Sequence, residues 1–508
     1  MRRADCRRFA IWLLTALFCT VCSAVSADVR MPRIFSNKAV LQREMPVPVW
    51  GWAEPGEEVT VAIAGNEQTA KADARGKWIV KLPAMQAGGP HEMTVTGKNK
   101  IVLKDILVGE VWLCSGQSNM QMVVGGVNNA AKEMAEAKYP RIRQCRVPNK
   151  ASGLPAEDAR CWWAECSPTT VRGFSAAAYF FGRELHKSLG VPIGLVNSSW
   201  GGTRIEPWTP AAGFDTVPEL QNFKKMVTYG NKQYAKKLAG ALDGIEAWVK
   251  ETRQALAEGR SVKPMPGPRH PFESRSAQTG LYNGMIHPIV PFAIRGAIWY
   301  QGEANRNDGM LYFHKMRALI GGWRKVWDQG EFPFYFVQIA PYKYGRGPHA
   351  LAFLWEAQTA ALSIPNTGMA VINDIGNLTN IHPKNKQDVG KRLALLALAR
   401  TYGQADLVCS GPLYKSMSVE DGKIRVNFEH VGGGLVSRDG KALDWFEIAG
   451  SDKKFAKAKA EIDGDSVIVS SEEVGKPVAV RFAWSELAEP NLMNKEGLPA
   501  SAFRTDKW

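Results

Sequence analysis

Between about Asp105 and Ser410 the sequence repeats one rhythm: an apolar run, a polar loop, then an amphipathic stretch of helical period. LVGEVWLC, GLVNSSW, GAIWYQGE, FYFVQIA and GMAVIND are the runs, and AAAYFFGRELHKSL, YFHKMRALIGGWRKVW and KNKQDVGKRLALLALARTY are three of the helical stretches. Strands that are apolar throughout, rather than at every second residue, lie in a sheet covered on both faces. Alternation of such strands with helices predicts an α/β unit with a parallel sheet. Ligands in these sheets bind beyond the carboxyl ends of the strands, so the loops closing each run hold the residues of interest.

The flanks have a different texture. Residues 28–104 break into short strands separated by Gly, Pro, Asn and Asp. In EVTVAIA, Val59, Val61 and Ile63 alternate with Thr60, Ala62 and Ala64, as on a strand buried on one side. A small β-sandwich is expected there, and a second β domain over 411–508 from KIRVNF, DSVIVSS and VAVRFAW. A charged helical insertion is expected at about 214–265 within the α/β unit (105–410), packed on it and shaping one wall of a cleft. A chain of 508 residues is long enough for this division.

Residues 1–27 have the form of a secretory signal peptide. Arg2, Arg3, Arg7 and Arg8 precede the apolar stretch FAIWLLTALFCTVC, and SAVSA ends at Ala27. The expectation is a protein exported to the periplasm or the extracellular space, without stable membrane insertion after cleavage. Formal net charge is +15, of which the first 27 residues carry +3. The remaining lysines and arginines are scattered, often beside acids, with no basic block or RNA-binding signature, and this argues against nucleic acid as a partner. Five cysteines follow the signal (Cys114, Cys145, Cys161, Cys166 and Cys409). Cys161 and Cys166 fit a disulfide or two buried thiols equally well. No His/Cys spacing points to zinc, and no cofactor is expected.

The stretch CSGQSNMQM (114–122) closes the first apolar run. A serine at a strand-to-helix turn presents its hydroxyl beside backbone N–H groups that favour developing negative charge. Gly116 allows the turn. A serine needs a base to act as nucleophile. His382, in DIGNLTNIHPKNKQDVG, lies on a loop between a strand and a helix at the same sheet edge, whereas His287 lies in a mostly apolar run. NSSWGGTRIEPW (197–208) and YQGEAN (300–305) supply donors suited to an oxyanion, namely the N–H of Gly201 or Gly202 and the Gln301 amide.

VWLCSGQSNM, NSSWGGTRIEPW, LYNGMIHPIVPFAIRGAIWYQGEAN and NDIGNLTNIHPKNKQDVGKRLAL resemble the sialate O-acetylesterase family, within the wider SGNH-type serine esterases. RIFSNKAVLQREMPVPVWGWAEPG and GLPASAFRTD extend the resemblance over nearly all of the chain beyond residue 27. It implies a flavodoxin-like SGNH-hydrolase α/β core between N- and C-terminal β domains. It further implies removal of O-acetyl groups from sialic acids or sialoglycans through an acyl-enzyme, without metal. Ser118 would be nucleophile, His382 base, and the Ser118 N–H, Gly201 and Gln301 the oxyanion hole. The family pattern places an aspartate in D-I-H-P before the histidine, whereas here Thr379 and Asn380 precede Ile381-His382. Glu303 is the first choice for third member, Asp374 the second, and a Ser–His dyad the third. Arg204 is a candidate for the substrate carboxylate, with a salt bridge to Glu206 as its plainer role. Two other functions fit the same loops: deacetylation of another glycan such as xylan, and binding of carbohydrate without catalysis. Nothing in the sequence sets the number of subunits.

Overall fold

The computed structural model describes residues 28–345, 347 and 349–508; the signal-peptide expectation over 1–27 lies outside them. At its centre is a 17-residue strand, Lys100–Gly116, buried at almost every position from Leu107 onward. In the central sheet the strands run in the order 367–370, 334–337, 296–300, 100–116, 193–199, 139–146, 163–166. All neighbours are parallel except Trp163–Cys166, which is antiparallel to Tyr139–Arg146. After the central strand the chain lays 139–146, 163–166 and 193–199 on one side, the last of them against the central strand, and then 296–300, 334–337 and 367–370 outward on the other. The direction of winding therefore switches at Lys100–Gly116, the place where sheets of this kind open a crevice between diverging loops.

Side-chain alternation explains how both faces are filled. Trp112 points to one face, where it meets Phe181 of the helix Ala176–Leu189 and Tyr335 of the next strand but one. Trp299 pairs in register with Ser115 and so points the other way, onto Trp323 of the helix Leu311–Trp327, which also receives Phe334. All of these rings are buried.

The first half of the same long strand belongs to the N-terminal β region. It pairs antiparallel with Gly88–Thr96 and parallel with Val40–Gln42. Val59, Val61 and Ile63 are buried on the strand Glu58–Ile63. Glu110, fully buried, ties the two regions together: it accepts hydrogen bonds from Gln42 Nε2 at 3.0 Å, Arg43 Nε at 2.5 Å and Arg295 Nε at 2.7 Å.

The helices Gln221–Ala239 and Leu242–Ala257 form most of the 214–265 segment. They attach through a small separate core of Phe214, Val217, Leu220, Val227, Phe272 and Ala318. Beyond residue 411 the strands return as small antiparallel sheets. The final stretch folds back on the α/β unit, where Ser501 Oγ accepts from Gln338 Nε2 at 2.9 Å and Arg504 pairs with Glu356. The five cysteines are free thiols, and Cys145 lies against Cys161, so Cys161 and Cys166 are not joined. Among the described residues no helix is long and apolar enough to cross a membrane, and no cluster of His, Cys, Asp and Glu is placed to hold a metal.

Candidate active site

Three strands end in register where the crevice opens: Gly116 pairs with Ser199 on one side and Tyr300 on the other. Gly116 has φ +141°, and a Cβ there would lie 2.2 Å from the Tyr300 carbonyl oxygen. Only glycine fits both the angle and the close approach. Gln117 follows, and Ser118 opens the short helix Ser118–Gln121. Ser118 is half-buried, and its backbone N–H has no protein acceptor among the described residues, as expected of a helix first turn.

Gly201 stands against the serine. A Cβ at 201 would lie 3.3 Å from Ser118 Cβ, and the Gly201 N–H donates to Gln121 Oε1 at 2.8 Å. Gln301 lies deeper. Its Nε2 donates to Gln117 Oε1 at 3.0 Å, Thr203 O at 3.2 Å and Asn305 Oδ1 at 2.8 Å, while its Oε1 accepts from Tyr312 Oη at 2.8 Å. Fully buried and fully bonded, the Gln301 amide braces the loops in this arrangement.

Asn119, the residue after the serine, joins the site together. Its Nδ2 donates to Glu303 Oε1 at 2.5 Å and to the Ile381 carbonyl at 3.0 Å; its Oδ1 accepts from Lys386 Nζ at 2.8 Å. Lys386 also donates to Pro383 O at 2.7 Å and lies 5.2 Å from the centre of the Tyr300 ring. These bonds bracket His382 between Ile381 and Pro383. Sequence reasoning passed over both residues: Asn119 stands within a motif read for its serine, and Lys386 resembles any lysine in a helix first turn. Only its complete burial sets it apart.

His382 is half-buried. Burial, and then the neighbouring Lys386 cation, depress its pKa below 6.5. Its backbone N–H donates to Asn380 Oδ1 at 2.9 Å, and the ring makes no hydrogen bond to protein among the described residues. Asn380, at the position of the D-I-H-P aspartate, is exposed, and Thr379 before it is exposed and turned to Asn377 Oδ1 at 2.9 Å.

Of the two acids considered for third member, Asp374 is committed elsewhere, in a two-pronged ion pair with Arg392 at 2.6 and 2.7 Å. Glu303 is buried, one oxygen held by Asn119 and the other without a partner among the described residues; burial raises its pKa against the pull of Asn119 and Lys386. It meets the histidine loop through Asn119 rather than by contact with the ring. Arg204 is bonded to Glu206 at 3.1 Å and to Asp308 at 2.8 Å, with Lys315 completing a balanced cluster. His287 is a structural residue, its Nδ1 2.8 Å from Ala156 O.

The profile of the carbohydrate esterases described as sialic acid-specific acetylesterases matches residues 108–245 and 271–399, more than half of the chain. The chain belongs to this esterase family. The matched segments carry Ser118, Gly201, Glu303, His382 and Lys386, and the unmatched stretch between them, 246–270, begins within the second insertion helix. Among relatives, the sialate O-acetylesterase of Rattus norvegicus is 31% identical over 450 residues, 80% of this chain and 80% of its own length. That of Homo sapiens is 30% identical over 509 residues, 90% of this chain and 87% of its own. The crystal structure of a carbohydrate acetylesterase from Xanthomonas citri superposes with a TM-score of 0.80 at 39% identity, covering 95% of this chain and all of that one. The esterase family is thus the one its loops resemble, and its architecture is mixed α/β with additional β regions.

Proposed function

We propose that this esterase is a serine-dependent sialate O-acetylesterase with an SGNH-type, flavodoxin-like core, exported from the cell that makes it. The observation carrying this reading is the meeting of Ser118, Gly201 and Asn119 at the carboxyl end of the central strand, next to the loop of His382.

His382 takes the Ser118 hydroxyl proton as Oγ attacks the acetyl carbonyl. The carbonyl oxygen becomes an oxyanion facing the free Ser118 N–H. The Gly201 N–H joins it by exchanging Gln121 Oε1 for the substrate oxygen, a substitution that needs only a side-chain rotation. Collapse breaks the ester bond, and the imidazolium returns its proton to the departing sugar oxygen. Water, deprotonated by His382, then attacks the acetyl-enzyme, releasing acetate and free Ser118. The Ser118–His382 hydrogen bond, unmade in the free protein, forms with substrate bound, as catalytic hydrogen bonds in many enzymes tighten only in the substrate complex. Glu303 orients the histidine loop through Asn119, so the missing D-I-H-P aspartate is replaced by an indirect brace.

Acetate release from N-acetyl-9-O-acetylneuraminic acid and from 4-nitrophenyl acetate, by wild type beside Ser118→Ala, tests this reading. Turnover of both, lost in the variant, is expected; a Ser118→Ala protein that retained turnover would remove the serine from the mechanism. A second reading is favoured by the 39%-identical Xanthomonas citri relative, described by a broader carbohydrate acetylesterase activity. Faster acetate release from acetylated xylan than from the sialate would select it.

A further inference from the structure

Two arginines flank the loop 301–305, and they differ in the acid around them. Arg204 gives its guanidinium to Glu206, Asp308 and the Ala304 carbonyl, so its charge is matched. Arg306 has no carboxylate within ion-pair distance among the described residues. Its one hydrogen bond to protein is long, 3.4 Å from Nη1 to Glu303 O, and its Nε is buried without an acceptor. The guanidinium lies over the ring of Tyr344, 4.9 Å from the centroid. The Tyr344 hydroxyl is also buried without a partner among the described residues.

A buried donor left unbonded costs about 1–3 kcal/mol, and native structures hold few of them. Here two belong to one stacked pair, and one of the two is cationic. A planar guanidinium with free N–H groups matches the two oxygens of a carboxylate, and the aromatic ring beneath fixes its plane.

The pair also lies in the right place. Arg306 is bonded to the backbone of Glu303, whose side chain holds Asn119 next to Ser118. Tyr344 sits on a segment that leans on the histidine loop, where the Lys343 N–H donates to Leu378 O at 3.2 Å. The stacked pair therefore stands between the loop bracing Ser118 and the loop carrying His382. In a sialic acid the carboxylate is on the ring and the O-acetyl group can be on the side chain, so a receptor for the anion belongs beside the nucleophile and not on it.

We propose that Arg306, stacked on Tyr344, receives the carboxylate of the sialic acid whose acetyl ester is cleaved at Ser118, an assignment that rests on the catalytic reading above. Arg204, picked from the sequence, is then a structural residue of the loop. Arg306 selects the anionic sugar over neutral ones and leaves the acetyl chemistry to the serine.

The test compares kcat/KM for N-acetyl-9-O-acetylneuraminic acid with that for its methyl ester, in which the anion is masked. Wild type should prefer the free acid by about 10–100-fold, the range of a charged hydrogen-bonded pair. In Arg306→Gln the preference should shrink to within about threefold, with Arg306→Lys between the two. A preference kept in full by Arg306→Gln would overturn the assignment, as would a wild type indifferent to the masking. Binding of N-acetylneuraminic acid to Ser118→Ala, with and without Arg306→Gln, measured by calorimetry, separates the two readings. It needs no catalysis, so loss of affinity with the arginine supports the assignment whatever the role of Ser118. Equal affinity in both proteins refutes it.

Discussion

Lys386 donates from Nζ to Asn119 Oδ1 across 2.8 Å, joining the first turn of the helix after His382 to the residue beside Ser118. The amine has no exposed surface, and Asn119 spends its other end on Glu303 and the Ile381 carbonyl. One amide thus sets the distance between the two loops that acyl transfer requires.

Asn119→Ala should therefore damage catalysis and stability together. The substitution strips partners from the buried Glu303 carboxylate and the Lys386 amine, each costing about 1–3 kcal/mol. The midpoint of urea unfolding should fall accordingly, and kcat on 4-nitrophenyl acetate should fall by about 10–100-fold as the histidine loop loosens. Unchanged kcat in a folded variant would show that the brace does not position His382.

The acid limb of kcat/KM should lie below pH 6.5. His382 works as a base only when unprotonated, and burial together with the Lys386 charge holds its pKa below that value. Lys386→Met removes the cation, so His382 binds its proton more readily and the limb moves up in pH. A pH–rate profile of the two proteins from pH 4 to 8 measures this. A limb that stays in place, or moves down, contradicts the electrostatic coupling.

Stability should rise with pH above neutrality on account of the same lysine. Burial lowers the Lys386 pKa from 10.5 to about 7 and outweighs the attraction of Glu303. Between those values the unfolded chain holds a proton that the native state does not, so raising the pH favours the native state across that window. Urea unfolding of wild type at pH 7 and pH 9 should show the gain, and Lys386→Met should show less of it.

Glu110→Ala should destabilise the junction between the N-terminal β region and the central sheet. Its carboxylate is fully buried and serves Gln42, Arg43 and Arg295 at once. Removing one member of a buried ionic group leaves cations uncompensated, at a cost of about 3–5 kcal/mol. Denaturant unfolding reads that loss. Because Glu110 sits six residues before Gly116 on the long strand, activity at low temperature should persist.

The sequence by itself determined the α/β rhythm, because strands covered on both faces cannot hide their continuous apolar runs. It also determined the family and the loops that gather at one sheet edge, since GQSN, SWGG, QGE and IHP each close an apolar run. Glycine at 116 was legible for the same reason, as a residue type that a turn demands. The tertiary structure decided the partners of the charged and amide side chains, which carry no periodicity. Asp374 and Arg204 looked available from the sequence and proved to be bonded to Arg392 and to Glu206 with Asp308. Gln301 looked like a donor for substrate and is saturated by Gln117, Thr203 and Asn305. Lys386 and Arg306 were not singled out by any sequence signal, and folding buried the first completely and left the second without an acid among the described residues. Such pairings join residues up to 267 positions apart in the chain. Local propensity says nothing about them; they follow from which loops the sheet brings to one edge.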